Sequence, residues 1–357
     1  MGSPDVPGLS IVVPSYNSAP WLPATIEALA ESVRRADASV EVIVVDDGST
    51  DETVEVIHRL AADFPGALKI LSQENRGRFL ARWAGIERAT AELIMLLDSR
   101  VILAPDALAR LLPAVDAEPA IGGWNAHVLI DPNAPLVGSF WEVPTHIFWG
   151  GYLRRPRPYD LTSETFDRAP KGTGAFLAPK GVLIDAFTSA WPEGDARLIS
   201  DDTKILRRIA ERGGIRLLPA FVATYRPRTT VRAFVKHSFD RGTLFVDSYA
   251  GTSVLRSLVI LLVAFAPPAL LLLLMGLVLI GSAAAAAAIA LAVVLLALCP
   301  LIPASINRCP ARGLLSYVCY LPVFVCPFWA GLVRGVVIHR RAFFDKSRAI
   351  QAPGGAK

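Results

Sequence analysis

The sequence is poor in the residues that build metal clusters and disulfide frameworks. Its four cysteines, Cys299, Cys309, Cys319 and Cys326, sit in or beside one apolar region, and none forms a CxxC pair. No histidine cluster accompanies them, so neither a zinc site nor a disulfide framework is expected, and they read as small apolar side chains. Long basic runs are missing too, and the net charge is only +4, which argues against a nucleic-acid partner. Met1 to Gly8 hold neither a basic stretch nor an apolar core, so no signal peptide is expected. Val6 stands where a myristoylated Gly2 would need Ser or Thr. Lys171-Gly172-Thr173-Gly174 is glycine-rich but lacks the GxxxxGK[ST] spacing of a phosphate-cradling loop.

What is abundant is apolar sequence. The 357 residues are 53% hydrophobic with a mean hydropathy of +0.43, and the excess is concentrated after residue 254. Three segments, about 254–280, 283–302 and 314–338, approach or exceed the roughly 20 apolar residues that cross a bilayer. Three in succession argue against ordinary core helices. Pro267-Pro268 is expected to kink or split the first; Pro322 and Pro327 do the same to the third, which also contains Arg334. Basic residues between Arg226 and Arg256 precede the region, suited to anionic headgroups. The tail carries Arg340, Arg341, Lys346 and Arg348, which the positive-inside tendency places in the cytoplasm. That predicts an even number of complete crossings, with the third segment re-entrant or interfacial.

The first part of the chain alternates strand and helix. Residues 9–13 and 40–45 read as buried strands, with helices from Pro20 to about Arg35 and from Thr50 to Ala62. A third strand is expected at 68–72, a helix at 78–89, and a fourth strand at 93–97. Polar residues gather where strands stop: Ser15-Tyr16-Asn17, Asp46-Asp47-Gly48-Ser49 and Asp98-Ser99-Arg100. This is the doubly wound α/β pattern, with ligands bound outside the carboxyl ends of the strands. From Gly122 to Pro170 the rhythm fails, and irregular excursions are expected. Regularity returns with a strand at 174–178, a helix from Asp201 to Arg212 closed by Gly213-Gly214, and helix at 231–249. Carboxylates at strand ends suit an enzyme that grips a charged donor.

Ser15-Tyr16-Asn17, then Val45 to Asp51, then Asn75-Arg76-Gly77 with Ala81-Arg82, resemble glycosyltransferase family 2, inverting enzymes of GT-A fold. The resemblance covers about residues 9 to 245. It implies that Pro14 and Tyr16 line a nucleotide base and that Asp47 accepts a hydrogen bond from it; Asn17 and Asn75 fall in the same donor pocket. An acceptor-only carboxylate discriminates an imide N–H. Asp46 either joins this pocket or holds the turn, and Ser49 caps the next helix. Arg76 and Arg78 either reach ribose or phosphate or are solvated charges at a helix end. Asp98 ends the strand where the family keeps its D-x-D, which would hold Mg²⁺ or Mn²⁺ against the diphosphate. Here Arg100 occupies the last position of that motif. Arg100 then either faces the diphosphate or turns away and leaves Asp98 to anchor a cation with the donor phosphates; the second is the expectation.

Ser200-Asp201-Asp202 matches the family's acidic pair at the start of an acceptor-side helix. Asp202 is expected to be the general base, with Asp201 supporting it; the competing account makes both ordinary helix N-terminal carboxylates. Gly172, Thr173 and Gly174 read either as backbone close to the sugar or as a plain turn. Trp149, like Trp124 and Trp141, reads as a sugar-stacking, core or interface side chain. Arg241 is a candidate diphosphate contact, although the Q-x-x-R-W signature of the polymerising members is absent.

The expected organisation is a disordered N-terminus at 1–8, a GT-A domain at 9–250 (nucleotide-binding half about 9–121, acceptor-side half about 122–250), a membrane region at 251–338 and a basic cytoplasmic tail at 339–357. The resemblance implies transfer of a sugar from a nucleotide donor to a polyprenyl-linked acceptor at the cytoplasmic face of the inner membrane, beside membrane lipids. Two rivals stand: a polyprenyl-phosphate sugar synthase, and a non-catalytic sugar-nucleotide-binding or assembly subunit.

Overall fold

The computed structural model describes residues 7–344 apart from Glu193 and Asp201. Contacts divide them into two units. One takes the chain up to Pro132 together with Arg155–Pro227; the other takes Asn133–Arg154 and the chain from Arg228 onward.

The first unit opens with β1 (Leu9–Ser15), α1 (Leu22–Ala36), β2 (Val40–Asp46), α2 (Thr53–Ala61), β3 (Ala67–Ser72), α3 (Arg78–Arg88) and β4 (Leu93–Leu97). β5 (Val101–Leu103), α4 (Ala107–Ala117) and β6 (Trp124–Ile130) follow; α5 (Glu142–Leu153) belongs to the second unit. β7 (Tyr159–Leu161), β8 (Ala175–Pro179), α6 (Lys180–Ser189), α7 (Thr203–Arg212) and β9 (Ile215–Tyr225) complete it. The sheet runs β3-β2-β1-β4-β8-β6-β9-β5, with β7 paired to β9. β3, β2, β1 and β4 are parallel, and β8 joins β4 antiparallel. β2 and β4 lie on opposite sides of β1, so the order reverses there, and a switch point of this kind opens a crevice at the strands' carboxyl ends.

Every residue of β1 and β2 is buried, as continuous apolar runs of a covered parallel sheet require. On α1, Leu22, Ile26, Leu29 and Val33 form one buried stripe at helical spacing, each worth roughly 2 kcal/mol of apolar burial. The polar exception is Glu41 in β2, 1% exposed. Its carboxylate accepts Ser10 Oγ (2.6 Å), the Thr90 N–H (2.6 Å) and Lys69 Nζ (2.8 Å). Burial alone would push that carboxyl up, but these bonds outweigh it and hold its pKa at about 2.

The stretch expected to be irregular, 122–170, contains β6, α5 and β7. β6 departs from clean alternation because a register shift between Ala126 and His127 interrupts its pairing with β9. The short α5 has only a weak amphipathic pattern of its own.

The second unit contains α5, α8 (Val231–Tyr249), α9 (Val254–Leu279), α10 (Ala283–Leu298), α11 (Leu301–Ile306) and α12 (Ala311–Ile338). Val254–Leu279, Ala283–Ile306 and Ala311–Ile338 are long and apolar enough to cross a membrane, with mean hydropathies of 2.8, 2.8 and 1.9. The prolines within the long helices do not split them. α9 runs through Pro267-Pro268 and α12 through Pro322 and Pro327, while the break falls at Cys299-Pro300, between α10 and α11. A proline removes one helical N–H bond, which bends a long helix without ending it; preceding a new helix it loses nothing.

α12 packs along α8 at backbone distance. Cβ atoms added at Gly242 or Gly331 would come within 2.2 Å of the Phe328 carbonyl and 1.9 Å of the Phe239 carbonyl. Thr243 Oγ1 donates to the Gly331 carbonyl at 3.0 Å. Gly331 and Gly335 thus form a small-xxx-small seam, the pattern that lets apolar helices approach closely. Phe140, Phe234, Tyr317 and Phe324 fill the neighbouring core.

Candidate active site

At the end of β2 the chain turns through Asp46-Asp47-Gly48-Ser49. Asp46 Oδ1 accepts the Ser49 N–H (3.2 Å), so this side chain holds the turn. Gly48 sits at φ 74°, and a Cβ there would lie 2.8 Å from the Asn75 nitrogen; only glycine suits it. Asp47, 4% exposed, reaches into the loop before α3. Its Oδ1 accepts Gln73 Nε2 (2.6 Å) and the Arg76 N–H (2.9 Å), and its Oδ2 accepts the Gly77 N–H (2.8 Å). A carboxylate has about four acceptor sites, so three bonds leave room for one more donor on Oδ2.

Asn17, at φ 48°, ties the ends of β1 and β2 together. Its N–H donates to Ser49 Oγ (2.9 Å), and its Oδ1 accepts the Thr50 N–H (2.8 Å). Pro14 is buried in β1, Tyr16 is 49% exposed just beyond it, and the Arg76 side chain is exposed.

Asp98 follows β4. Arg82, 1% exposed on α3, donates through Nη2 to Asp98 Oδ1 at 2.6 Å, and Arg78 Nη1 lies 3.8 Å from Oδ2. The Asp98 N–H donates to the Gly174 carbonyl (2.9 Å), and a Cβ on Gly174 would sit 3.2 Å from Asp98 Oδ2. The 172–174 turn therefore approaches the carboxylate with its backbone. The Gly172 N–H donates to Asn125 Oδ1 (3.0 Å), and Thr173 is buried.

Arg100 points elsewhere. Its Nε donates to the Arg226 carbonyl at 2.9 Å, Nη2 donates to the Pro227 carbonyl, and the guanidinium stacks over Trp21 at 3.9 Å. Arg226 in turn donates through Nη2 to the Trp21 carbonyl (2.8 Å), the Ser99 carbonyl (3.2 Å) and Thr25 Oγ1. Burial pushes the Arg226 guanidinium below its ordinary pKa, against the pull of Asp131. These two arginines weld the turn after β4 to the end of β9.

Asp202 caps α7. Its Oδ1 accepts Ser200 Oγ (2.9 Å), Thr203 Oγ1 (3.0 Å) and the Thr203 N–H. All three bonds fall on Oδ1. Asp201 lies outside the described residues. Trp149 and Arg241 both belong to the second unit: Trp149 breaks the helical geometry of α5 (φ −126°), and Arg241 on α8 lies over the Trp141 ring at 5.3 Å.

Three residues here carried no expected role. Gln73 and the buried Arg82 hold Asp47 and Asp98. Arg197 packs on Gly77, whose added Cβ would come within 2.9 Å of Arg197 Cγ; hydrogen bonding to Asp195 raises its pKa. Arg82 had a signal in its motif, whereas Arg197 stands in an undistinguished loop. Concavities of about 330 and 320 Å³ open instead at the far end of the sheet, beside Leu93 and Val40 where β4 and β2 begin.

Among the described residues, no set of side chains by itself completes a divalent-cation site. Magnesium and manganese take six oxygen ligands or close to it. Asp98 is the one carboxylate of the Asp98-Ser99-Arg100 turn and is already ion-paired, and the described residues contain no group of three or more His, Cys, Asp or Glu placed to hold a metal.

Residues 10–166 match the family described as Glycosyl transferase family 2. An uncharacterized glycosyltransferase of Nostoc sp. is 30% identical over 125 residues, 35% of this chain and 38% of that protein. An undecaprenyl-phosphate 4-deoxy-4-formamido-L-arabinose transferase of Sodalis glossinidius is 33% identical over 106 residues, 29% of this chain and 32% of that protein. The matched region thus spans little more than a third of these relatives. Among solved structures, a mannosyltransferase from Pyrobaculum calidifontis in complex with GDP-Man and Mn²⁺ aligns over 93% of this chain and 88% of its own, with TM-score 0.61 and 19% identity. The family match and the shared architecture lead to one conclusion: residues 10–166 form a glycosyl transferase family 2 domain within a sheet of GT-A fold, and an apolar helical region follows.

Proposed function

We propose that this protein transfers a sugar, with inversion, from a nucleoside-diphosphate donor to a polyprenyl-linked acceptor at a membrane. The observation that carries the reading is Asp47, buried at the end of β2 and clamped by the Arg76 and Gly77 amides with acceptor capacity remaining. A carboxylate so fixed reads a donor N–H on a base without reorganising. Tyr16 and Pro14 flank that position at the end of β1, and Asn75 and Arg76 border it from the loop.

Asp202 is the proposed general base. Its bonds on Oδ1 fix the carboxylate's orientation, and Oδ2 takes the proton of the attacking hydroxyl as the bond from the anomeric carbon to the diphosphate breaks. The 172–174 turn borders the sugar. A lipid-tailed acceptor accounts for fusing this domain to membrane helices, since confinement raises its effective concentration. In this reading the catalytic unit works in the cytoplasm, at the inner membrane.

The undecaprenyl-phosphate transferases among the relatives favour a specific second reading, in which the acceptor is polyprenyl phosphate itself. Nucleoside diphosphate release from a panel of UDP-, GDP- and dTDP-sugars separates the alternatives. Turnover with undecaprenyl phosphate alone supports the synthase. Turnover only with lipid-linked glycan supports the broader transferase, and release with neither would reduce the protein to a binding subunit.

A further inference from the structure

We infer that Phe166 and Asp167 form a positioning node that sets α7, and with it the Asp202 carboxylate, against the 172–174 turn; this rests on the reading of Asp202 as general base above. Phe166 is 1% exposed and opens a single 3-10 turn, Phe166–Arg168. Two cations from different parts of the chain lie over its ring, Lys171 Nζ at 4.3 Å and Arg207 Cζ at 4.4 Å from the centroid. Asp167 Oδ1 faces the same pair, 3.6 Å from Arg207 Nη2 and 3.9 Å from Lys171 Nζ. Two cations gathered on one ring repel each other, and the electron-rich ring face and the carboxylate offset that repulsion. The lysine side chain is 9% exposed and the arginine 25%, so water screens these attractions less than those of a surface ion pair.

Each cation carries one side of the site. Lys171 directly precedes the turn in which the Gly172 N–H donates to Asn125 Oδ1 and the Gly174 carbonyl accepts the Asp98 N–H. Arg207 stands in the second turn of α7, the helix that Asp202 caps. α7 buries Ile205, Leu206 and Ile209 as its core stripe, and Arg207 lies off that stripe. Apolar burial of this kind stabilises the helix without direction. The contacts to Phe166 and Asp167 add direction, fixing where the helix begins relative to the turn. Placement matters at that point, because an error of about 1 Å in a reacting group can cost about a hundredfold in rate.

The test compares Phe166→Leu, which keeps an apolar side chain and discards the ring, with Phe166→Tyr, which keeps the ring. Three quantities are read on the full chain in detergent: amide hydrogen exchange, calorimetric affinity for uridine and guanosine diphosphate, and turnover with the donor and acceptor panel above. In Phe166→Leu, exchange should rise about tenfold or more both in 171–174 and in the first turn of α7, and kcat should fall about tenfold or more. Nucleotide Kd should stay within about threefold of the parent, because Asp47 and its loop are untouched. Phe166→Tyr should restore both exchange and kcat. Lys171→Met leaves Phe166 in place and should repeat the pattern, which keeps the test intact if Phe166→Leu folds poorly. Exchange that rises in one segment alone overturns the inference, as does a tyrosine variant no better than leucine. A lowered melting point with parental kcat overturns it too, since a purely structural role would give that result. A parent that turns over no donor removes the transferase reading instead, and exchange then still decides whether the node joins the two segments.

Discussion

Arg82 and Asp98 form a close ion pair just beyond β4: Nη2 to Oδ1 is 2.6 Å, with the arginine 1% exposed and the aspartate 20% exposed. Breaking a buried pair from one side leaves an uncompensated charge and costs about 3–5 kcal/mol. Arg82→Ala should therefore lower the melting temperature by roughly 6–20 °C for a unit of this size. A melting point within a degree or two of the parent would show that Asp98 is solvated well enough to stand alone.

Asp47→Ala removes the acceptor for Gln73 and for two backbone amides. Nucleoside diphosphate affinity should fall by about tenfold or more, from the lost base contact and the freed loop. Calorimetry decides it; unchanged affinity rejects the assignment of Asp47 to the base.

Asp202→Asn keeps an acceptor for Ser200 and Thr203 but no longer takes a proton. Turnover should drop about a hundredfold or more while donor affinity holds. Near-normal turnover would return Asp202 to the plain role of a helix cap.

Glu41 supplies a pH dependence unrelated to catalysis. Its folded pKa of about 2 lies below the ordinary 4.5, so the folded state gains stability above about pH 4.5 and loses it as pH falls toward 2. A shift of that size corresponds to roughly 3 kcal/mol. Glu41→Gln should flatten the acid limb of a stability–pH curve between about pH 4.5 and 2. An acid limb identical to the parent's would locate the sensitivity in other groups.

Topology follows from how α12 packs. It lies along α8, a helix exposing Arg232, Lys236 and Arg241, which we propose rests at the membrane surface. In the topology we propose, the crossing pair is α9 and α10, joined at Ile280–Ser282. In a background free of native cysteines, Ser282→Cys should react with an impermeant maleimide on intact cells, and Phe344→Cys should not. Labelling of Phe344→Cys from outside would require an odd number of crossings.

Much was legible along the chain because its signals are local. The buried strands at 9–15 and 40–46, the acidic turn, the glycine that turn requires, and the three apolar segments all rest on contiguous residues or fixed periods. These place an α/β domain of known family ahead of membrane-length helices. Other features depend on partners remote in sequence. That Arg100 would turn onto the Arg226 carbonyl is invisible until β5 pairs with β9, joining residues 126 apart. The assignment of 133–154 to the helical unit was equally hidden, because α5 finds its apolar partners more than 150 residues later, around Asn307 and Tyr317. Sequence alone supplied the carboxylates and their order. Tertiary structure decided which were already neutralised: Asp98 meets Arg82 only because α3 packs beside β1 and β2, and a side chain's charge is available to a ligand only when the fold has not spent it on a neighbour.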